Sequence, residues 1–213
     1  MQSHLEKVVA LAADYGKPIG IENMARLAGI LHDFGKYSAL FPKVLTKEAS
    51  RVDHAGPGAA LLRNIRPSTK FSTCIEAING HHGGLVSRAK IGVLEELPTG
   101  DAGEIYTNFD KQCSLPNGEG ETIATQAQVF FQDIPDFAQN YLMRVKQSIY
   151  DGSNSDVIKM LMTRMLYSCL VDADYSASAE VDDAAYLDRA SGGTLDAKAA
   201  ERKRRYYCNR ICQ

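Results

Sequence analysis

Apolar residues recur at helical spacing along nearly the whole chain. Leu5, Val8, Val9 and Ala12 fall at i, i+3, i+4 and i+7, the stripe of an amphipathic helix. Met24, Leu27, Ala28 and Leu31 repeat the stripe and predict a second helix over 21–34, with Gly35 where a left-handed C-cap belongs. A third helix is predicted from His54 and Pro57, with Leu61, Leu62 and Ile65 inward; proline in a first turn forfeits no helical hydrogen bond. Phe71, Cys74, Ile75 and Ile78 mark a fourth over 68–79, after which Gly80 and Gly83-Gly84 bracket a histidine pair.

Between 85 and 125 the stripe is lost. Pro98, Pro116 and several glycines predict a long irregular insertion, compatible with a short hairpin. Helical spacing resumes over 126–150, broken near Pro135. Residues 155–177 are apolar on nearly every face (Val157, Ile158, Leu161, Met162, Met165, Leu166, Cys169, Leu170, Val171), which predicts a central, buried helix. From Lys198 the chain turns basic and reads as a helical tail or linker. The expected fold class is all-α, in a single domain over 1–213.

Composition changes the picture little. With 213 residues, 45% hydrophobic and 23% charged, the chain can bury a core and is not disordered. Charge matters more. The balance of 24 Lys+Arg against 26 Asp+Glu leaves −2, so no global positive field draws nucleic acid to it. An anionic substrate must then be held locally, by a metal or a small basic patch. The five cysteines are scattered with no Cys-x-x-Cys pair, which argues against a disulfide framework and a zinc ribbon and fits a reducing cytoplasm. The N-terminus carries charge where a signal peptide needs an apolar run, and no uncharged stretch approaches the roughly 18 residues of a membrane span. A cytoplasmic protein with no membrane partner is expected.

The candidate chemistry lies in the five histidines. His4 opens the first helix on the side of Val8 and Leu11, and His32-Asp33 stands within Leu31-His32-Asp33-Phe34-Gly35-Lys36. His54 follows in Asp53-His54-Ala55, then His81-His82 between glycines, and late in the apolar helix come Asp172 and Asp174. A lone histidine on an apolar face is usually a hydrogen-bonded core residue. Five of them at helix ends, joined by carboxylates, have few structural uses. Imidazole and carboxylate without thiolate suit first-row transition ions rather than structural zinc. The set exceeds what one catalytic ion with an open position needs, so it predicts two ions, with Asp33 as the bridging carboxylate because it is fixed beside His32 and carries two oxygens.

The order His, His-Asp, His, His-His, Asp on a helical frame resembles the HD superfamily of metal-dependent phosphohydrolases. The fuller likeness is to the HD nuclease domain of the CRISPR-associated helicase-nuclease of type I systems. It is carried by His4, Leu31-His32-Asp33-Phe34-Gly35-Lys36, Asp53-His54-Ala55-Gly56-Pro57-Gly58-Ala59, Asn79-Gly80-His81-His82-Gly83-Gly84 and Leu170-Val171-Asp172-Ala173-Asp174. The likeness implies an HD helical bundle in which one ion is held by His4, His32, Asp33 and a late aspartate, and a second by Asp33, His54, His81 and His82. Asp174 with Ser178 matches the family's spacing to a small hydroxylated residue, so Asp174 is the expected ligand and Asp172 the reserve.

Two ions, with manganese, iron, cobalt or nickel favoured over magnesium, would activate water against a phosphodiester. Asp33 and Lys36 are the expected catalytic side chains, Lys36 meeting a phosphate or else simply favouring a helix C-terminus. The implied function is a metal-dependent nuclease for single-stranded DNA. Its partners would be a helicase domain or subunit and, through that, an RNA-guided CRISPR surveillance complex. The chain has no Gly-x-x-x-x-Gly-Lys-Ser/Thr phosphate loop, so any helicase is expected on another chain or another part of a fusion. The run Lys198–Tyr207 mixes base and aromatic, which suits a nucleic-acid backbone as well as a solvated helix face. The competing reading is an HD phosphohydrolase acting on nucleotides or cyclic nucleotides.

Overall fold

A computed structural model describes residues 2–49, 54–65, 71–85, 121–145 and 156–182. The insertion at 86–120, the basic tail, and Cys113, Cys208 and Cys212 lie outside the described residues. The described residues are helical, with no strand among them. Met1–Ala177 form one compact unit; Ser178–Gln213 fall into a second, of which only 178–182 are described.

Helix α1 (Gln2–Gly16) buries Leu5, Val8, Val9, Ala12 and Ala13. It lies against α2 (Glu22–Leu31), whose Leu27, Ala28, Ile30 and Leu31 are fully buried. α2 stops earlier than its apolar stripe predicts. His32 is its C-cap, and the chain tightens into a 3₁₀ turn at Phe34–Tyr37. Gly35 is therefore not a left-handed cap: it sits inside that turn, and the positive-φ glycines among the described residues are Gly20 and Gly84. The short α3 (Leu40–Leu45) follows without a buried residue.

α4 (Ala55–Ile65) and α5 (Ser72–Gly80) pack on each other and on α2. Pro57 stands in the first turn of α4, as its missing N–H allows. α6 (Ile123–Asp133) begins inside the stretch expected to be irregular, because Thr122 and Thr125 cap it reciprocally. Thr122 Oγ1 accepts from the Thr125 N–H at 3.3 Å, while Thr125 Oγ1 accepts from the Thr122 N–H at 2.9 Å. The helix ends just before Pro135, where the residue preceding proline is driven out of the helical region. A short π-helical turn follows at Ala138–Leu142.

α7 (Asp156–Asp182) differs from the central helix its composition predicts. Leu166, Cys169, Leu170, Ala173 and Ala177 enter the core at helical spacing, but Val157, Met160 and Leu161 are exposed. One stripe is enough to dock the helix, and apolarity on its other faces is not matched by contacts. The side that docks brings Asp174 to the buried end of α2. Thr163 Oγ1 also reaches Thr73 Oγ1 on α5 at 3.4 Å, and Tyr15 Oη reaches Ser176 Oγ at 3.5 Å.

The core joins residues of α1, α2, α4, α5, α6 and α7 in one cluster. Each fully buried Leu or Ile in it contributes about 1.5–3 kcal/mol. Cys74 is one of its members: burial pushes its thiol up to about 12, which leaves it a small apolar residue rather than a nucleophile. No helix among the described residues is long and apolar enough to cross a membrane.

Candidate metal centre

The site is assembled from helix ends. α2 and α5 each finish on a histidine, and each histidine uses the same device. The last carbonyls of a helix have no intrahelical partner. His32 Nδ1 donates to the Gly29 carbonyl at 2.7 Å, and His81 Nδ1 donates to the Ile78 carbonyl at 2.7 Å. A carbonyl only accepts, so Nδ1 carries the proton and Nε2 of both rings is directed the other way. That is the tautomer and orientation a metal-binding imidazole needs.

Asp33 follows His32 directly in the chain. It is 1% exposed, at the start of the tight turn, with φ −103 and ψ 16. Its two oxygens face different partners. Oδ2 lies 3.2 Å from His32 Nε2 and 3.6 Å from His4 Nε2. Oδ1 lies 3.7 Å from His54 Nε2. Asp174 Oδ1 closes the first side, 3.2 Å from His4 Nε2 and 3.5 Å from His32 Nε2. On the second side His54 Nε2 and His82 Nε2 meet at 2.5 Å, and the His81 and His82 ring centroids are 4.0 Å apart.

Two ligand sets result. His4, His32, Asp33 and Asp174 form one, and Asp33, His54, His81 and His82 the other; within each, the ligand atoms all lie within 4.8 Å of one another. The shared member is Asp33. Asp172, the reserve, is exposed on α7 and belongs to neither.

The chemistry of these groups fits cations. His4 Nε2, His32 Nε2, His81 Nε2 and Asp33 Oδ1 are buried and make no hydrogen bond. The nearest carboxylate oxygens are close enough for charge attraction but not aligned for hydrogen bonding. Leaving several buried polar atoms so costs roughly 1–3 kcal/mol each. Two imidazole nitrogens facing each other at 2.5 Å likewise need a proton or a cation between them. A divalent ion in each set answers both demands.

The electrostatics separate the two sets. For His32, burial pulls the pKa down, but the negative carboxylates of Asp174 and Asp33 beside its ring outweigh it and take it up to about 9. Burial alone would raise Asp33 and Asp174; the neighbouring histidines, with Lys36 beside Asp33, instead hold both carboxyls far below the usual range. His81 moves the other way. Burial first, opposed by its bond to Ile78 and reinforced by the positive His32, brings it down to about 4. His82 is lowered by burial and by His54. In the first set His32 thus holds a proton against two carboxylates, whereas in the second burial favours the neutral form of His81 and His82.

Lys36 lies at the rim, with its Nζ 2.5 Å from Asp33 Oδ2 and 5.8 Å from the centre of the Phe41 ring. Every histidine and carboxylate expected as a ligand is therefore brought to one place, along with Lys36. The features that sequence reading passes over are backbone ones: the Gly29 and Ile78 carbonyls, and the close approach at Gly35 and Gly58 described below. A histidine ending a helix is the signal for the carbonyls; the glycine approach has no local signal.

An all-helical frame whose helix ends aim histidines and aspartates at two adjoining points defines a class of metal-dependent phosphohydrolases. The HD domain family matches residues 1–115, and the chain belongs to that family. Asp174 lies beyond the matched range and joins the centre only through the packing of α7. No curated protein and no solved structure matches the chain.

Proposed function

We propose that this hydrolase is a DNA nuclease that cuts phosphodiesters with preference for single strands, working in the cytoplasm in CRISPR antiviral defence with a helicase domain or subunit and, through it, an RNA-guided surveillance complex. The observation that carries the reading is the pair of ligand sets sharing Asp33, one oxygen to each side. Two ions held so would supply charge neutralisation for a phosphodiester and a water of lowered pKa.

The chain's own residues do the rest. Asp33 fixes the spacing between the two sets. The Nδ1 bonds to Gly29 and Ile78 lock His32 and His81, so neither ring needs to reorient during turnover. Lys36 offers an ammonium against Asp33, within reach of a phosphate oxygen once it leaves that carboxylate. No side chain is required as a nucleophile.

Polymer rather than mononucleotide is favoured by the shape of the rim. His82 is exposed, and His4, His54, Asp174 and Lys36 are each about a fifth exposed, at 23%, 21%, 18% and 24%. Exposure of this degree at the described ligands favours a strand over a mononucleotide held in a closed pocket. The test is cleavage of circular single-stranded DNA with manganese, cobalt, nickel and magnesium in parallel, against hydrolysis of cyclic nucleotides. Nicking of the circle with the transition ions supports the nuclease. Turnover of cyclic nucleotides with an intact circle transfers the site to the small-molecule class.

A further inference from the structure

We propose that Gly35 and Gly58 form a backbone clamp that sets the distance between the two ligand sets, so that the number of ions the centre holds depends on the absence of a Cβ at these two positions. The inference rests on the metal-centre reading above and extends it to residues with no ligand atom.

The second ligand set belongs to chain segments remote from the first. His32 and Asp33 follow α2, His54 precedes α4, and His81 and His82 follow α5. Something must hold the start of α4 against the end of α2 closely enough for His54 to reach Asp33 Oδ1. Two glycines occupy that seam. A Cβ on Gly35 would stand 2.4 Å from His54 Cα and 2.8 Å from the His54 carbonyl oxygen, and the Gly35 N–H donates to that same oxygen at 3.2 Å. A Cβ on Gly58 would stand 2.1 Å from the carbonyl oxygen of Leu31, the residue before His32, and 3.3 Å from Ile78 Cγ2. Ile78 is the residue whose carbonyl orients His81.

The contacts are with backbone, so no side-chain rotamer relieves them. Opening them to the 3.0 Å that real Cβ contacts keep moves Gly58 from 2.1 Å, a shift of 0.9 Å, and Gly35 from 2.4 Å, a shift of 0.6 Å. Metal–ligand distances tolerate only about 0.2 Å. A methyl group at either position therefore carries His54 out of range of Asp33. The end of α2 that carries His32 and Asp33 borders this seam too, but His4 and Asp174 are held by α1 and α7, and only His54 is carried by the segment the seam would displace, so the second set is disturbed more than the first. Neither glycine has positive φ among the described residues, so the requirement is for space and not for backbone conformation. Gly83, beside the histidine pair, has nothing within 4 Å of its Cβ position and serves as the control.

The experiment loads the full chain and its Gly35→Ala, Gly58→Ala and Gly83→Ala variants with Mn²⁺ alone. Ions per chain are counted by mass spectrometry after desalting, second-ion affinity is measured by calorimetry, and helicity by circular dichroism. The clamp predicts two ions for the wild type and for Gly83→Ala. It predicts one retained ion for Gly35→Ala and Gly58→Ala, with the second bound about 10–100-fold more weakly, as for loss of a ligand-supporting residue. In a His54→Ala background, Gly35→Ala should add nothing, since both act on one ligand. Wild-type affinity for the second ion in every helical glycine variant overturns the clamp, as do equal loss of both ions and loss of helicity in both clamp variants. A wild type that binds no ion removes the metal centre itself, and the clamp with it.

Discussion

Loading the first ligand set at neutral pH should cost one proton, taken from His32. Its Nδ1–H is committed to the Gly29 carbonyl at 2.7 Å, so the proton that must leave is on Nε2, which faces Asp33 and Asp174 at 3.2 and 3.5 Å. Those carboxylates more than offset burial and take the ring up to about 9. At pH 7 only about 1% of molecules then present a free Nε2 lone pair, because each pH step below the pKa reduces that fraction about tenfold. The apparent affinity of the first set should rise about tenfold per pH step, or about 100-fold between pH 6.5 and 8.5, and level off above about pH 9. The second set behaves otherwise, since His81 is already neutral above about 4. The assay is Mn²⁺ calorimetry on His54→Ala, which confines binding to the first set, in buffers of different ionisation enthalpy. About one proton released per ion is expected. A first-ion affinity that stays flat across this range, with heats independent of buffer, would refute the assignment of the proton and with it the cage of carboxylates around His32.

Four further outcomes are expected. The metal-free protein should melt at its highest temperature near pH 6.5. A raised His32 stabilises fully below its ordinary 6.5 and loses that contribution as pH climbs through about 9, whereas a depressed His81 stabilises above 6.5 and loses it as pH falls through about 4. The His32 contribution is about 3 kcal/mol, or roughly 6–12 °C, and a melting temperature that rises steadily from pH 6.5 to 9 contradicts it. Asp174→Ala should lower the hydrolysis rate at least about 100-fold while Asp172→Ala leaves it near wild type, as steady-state rates at saturating metal will show. Asp33→Ala should remove both ions, where Asp174→Ala weakens only the first. Chelation should abolish activity, and manganese, cobalt or nickel should restore it better than magnesium, whose preference for an all-oxygen octahedral shell suits neither histidine-containing set; full rescue by magnesium alone contradicts the ligand assignment.

Much of the helical frame is legible in the chain because each helix of the core carries its own stripe, and a stripe is a local property. α1 and α4 follow their patterns closely. The departures occur where a non-local contact competes with the pattern. The stripe running to Phe34 predicts a longer α2, but the chain tightens after Leu31 so that His32 can turn its Nδ1 back to Gly29. α7 looks buried on all sides because composition cannot say how many neighbours a helix has; one stripe docks, and Val157 and Leu161 stay outside. The capped start of α6 at Thr122 is a pair of threonines standing in for the usual hydroxyl and acid, and it is easy to pass over for that reason.

By itself the sequence determines the donors: five imidazoles and the aspartates beside them, their order, and the helix ends on which they fall. These follow from residue identity and period. It leaves Asp172 and Asp174 as alternatives, because two positions on one helix differ only in which face is turned inward. The packing of α7 decides that, and puts Asp174 beside His4 and His32. Tertiary structure alone also assigns one oxygen of Asp33 to each ligand set, and sets Gly58 against the Leu31 carbonyl so that His54 meets Asp33. The physical reason is the same in each case. A ligand set needs atoms held to a few tenths of an ångström, and across segments far apart in the chain only the contacts between backbones fix distances that finely.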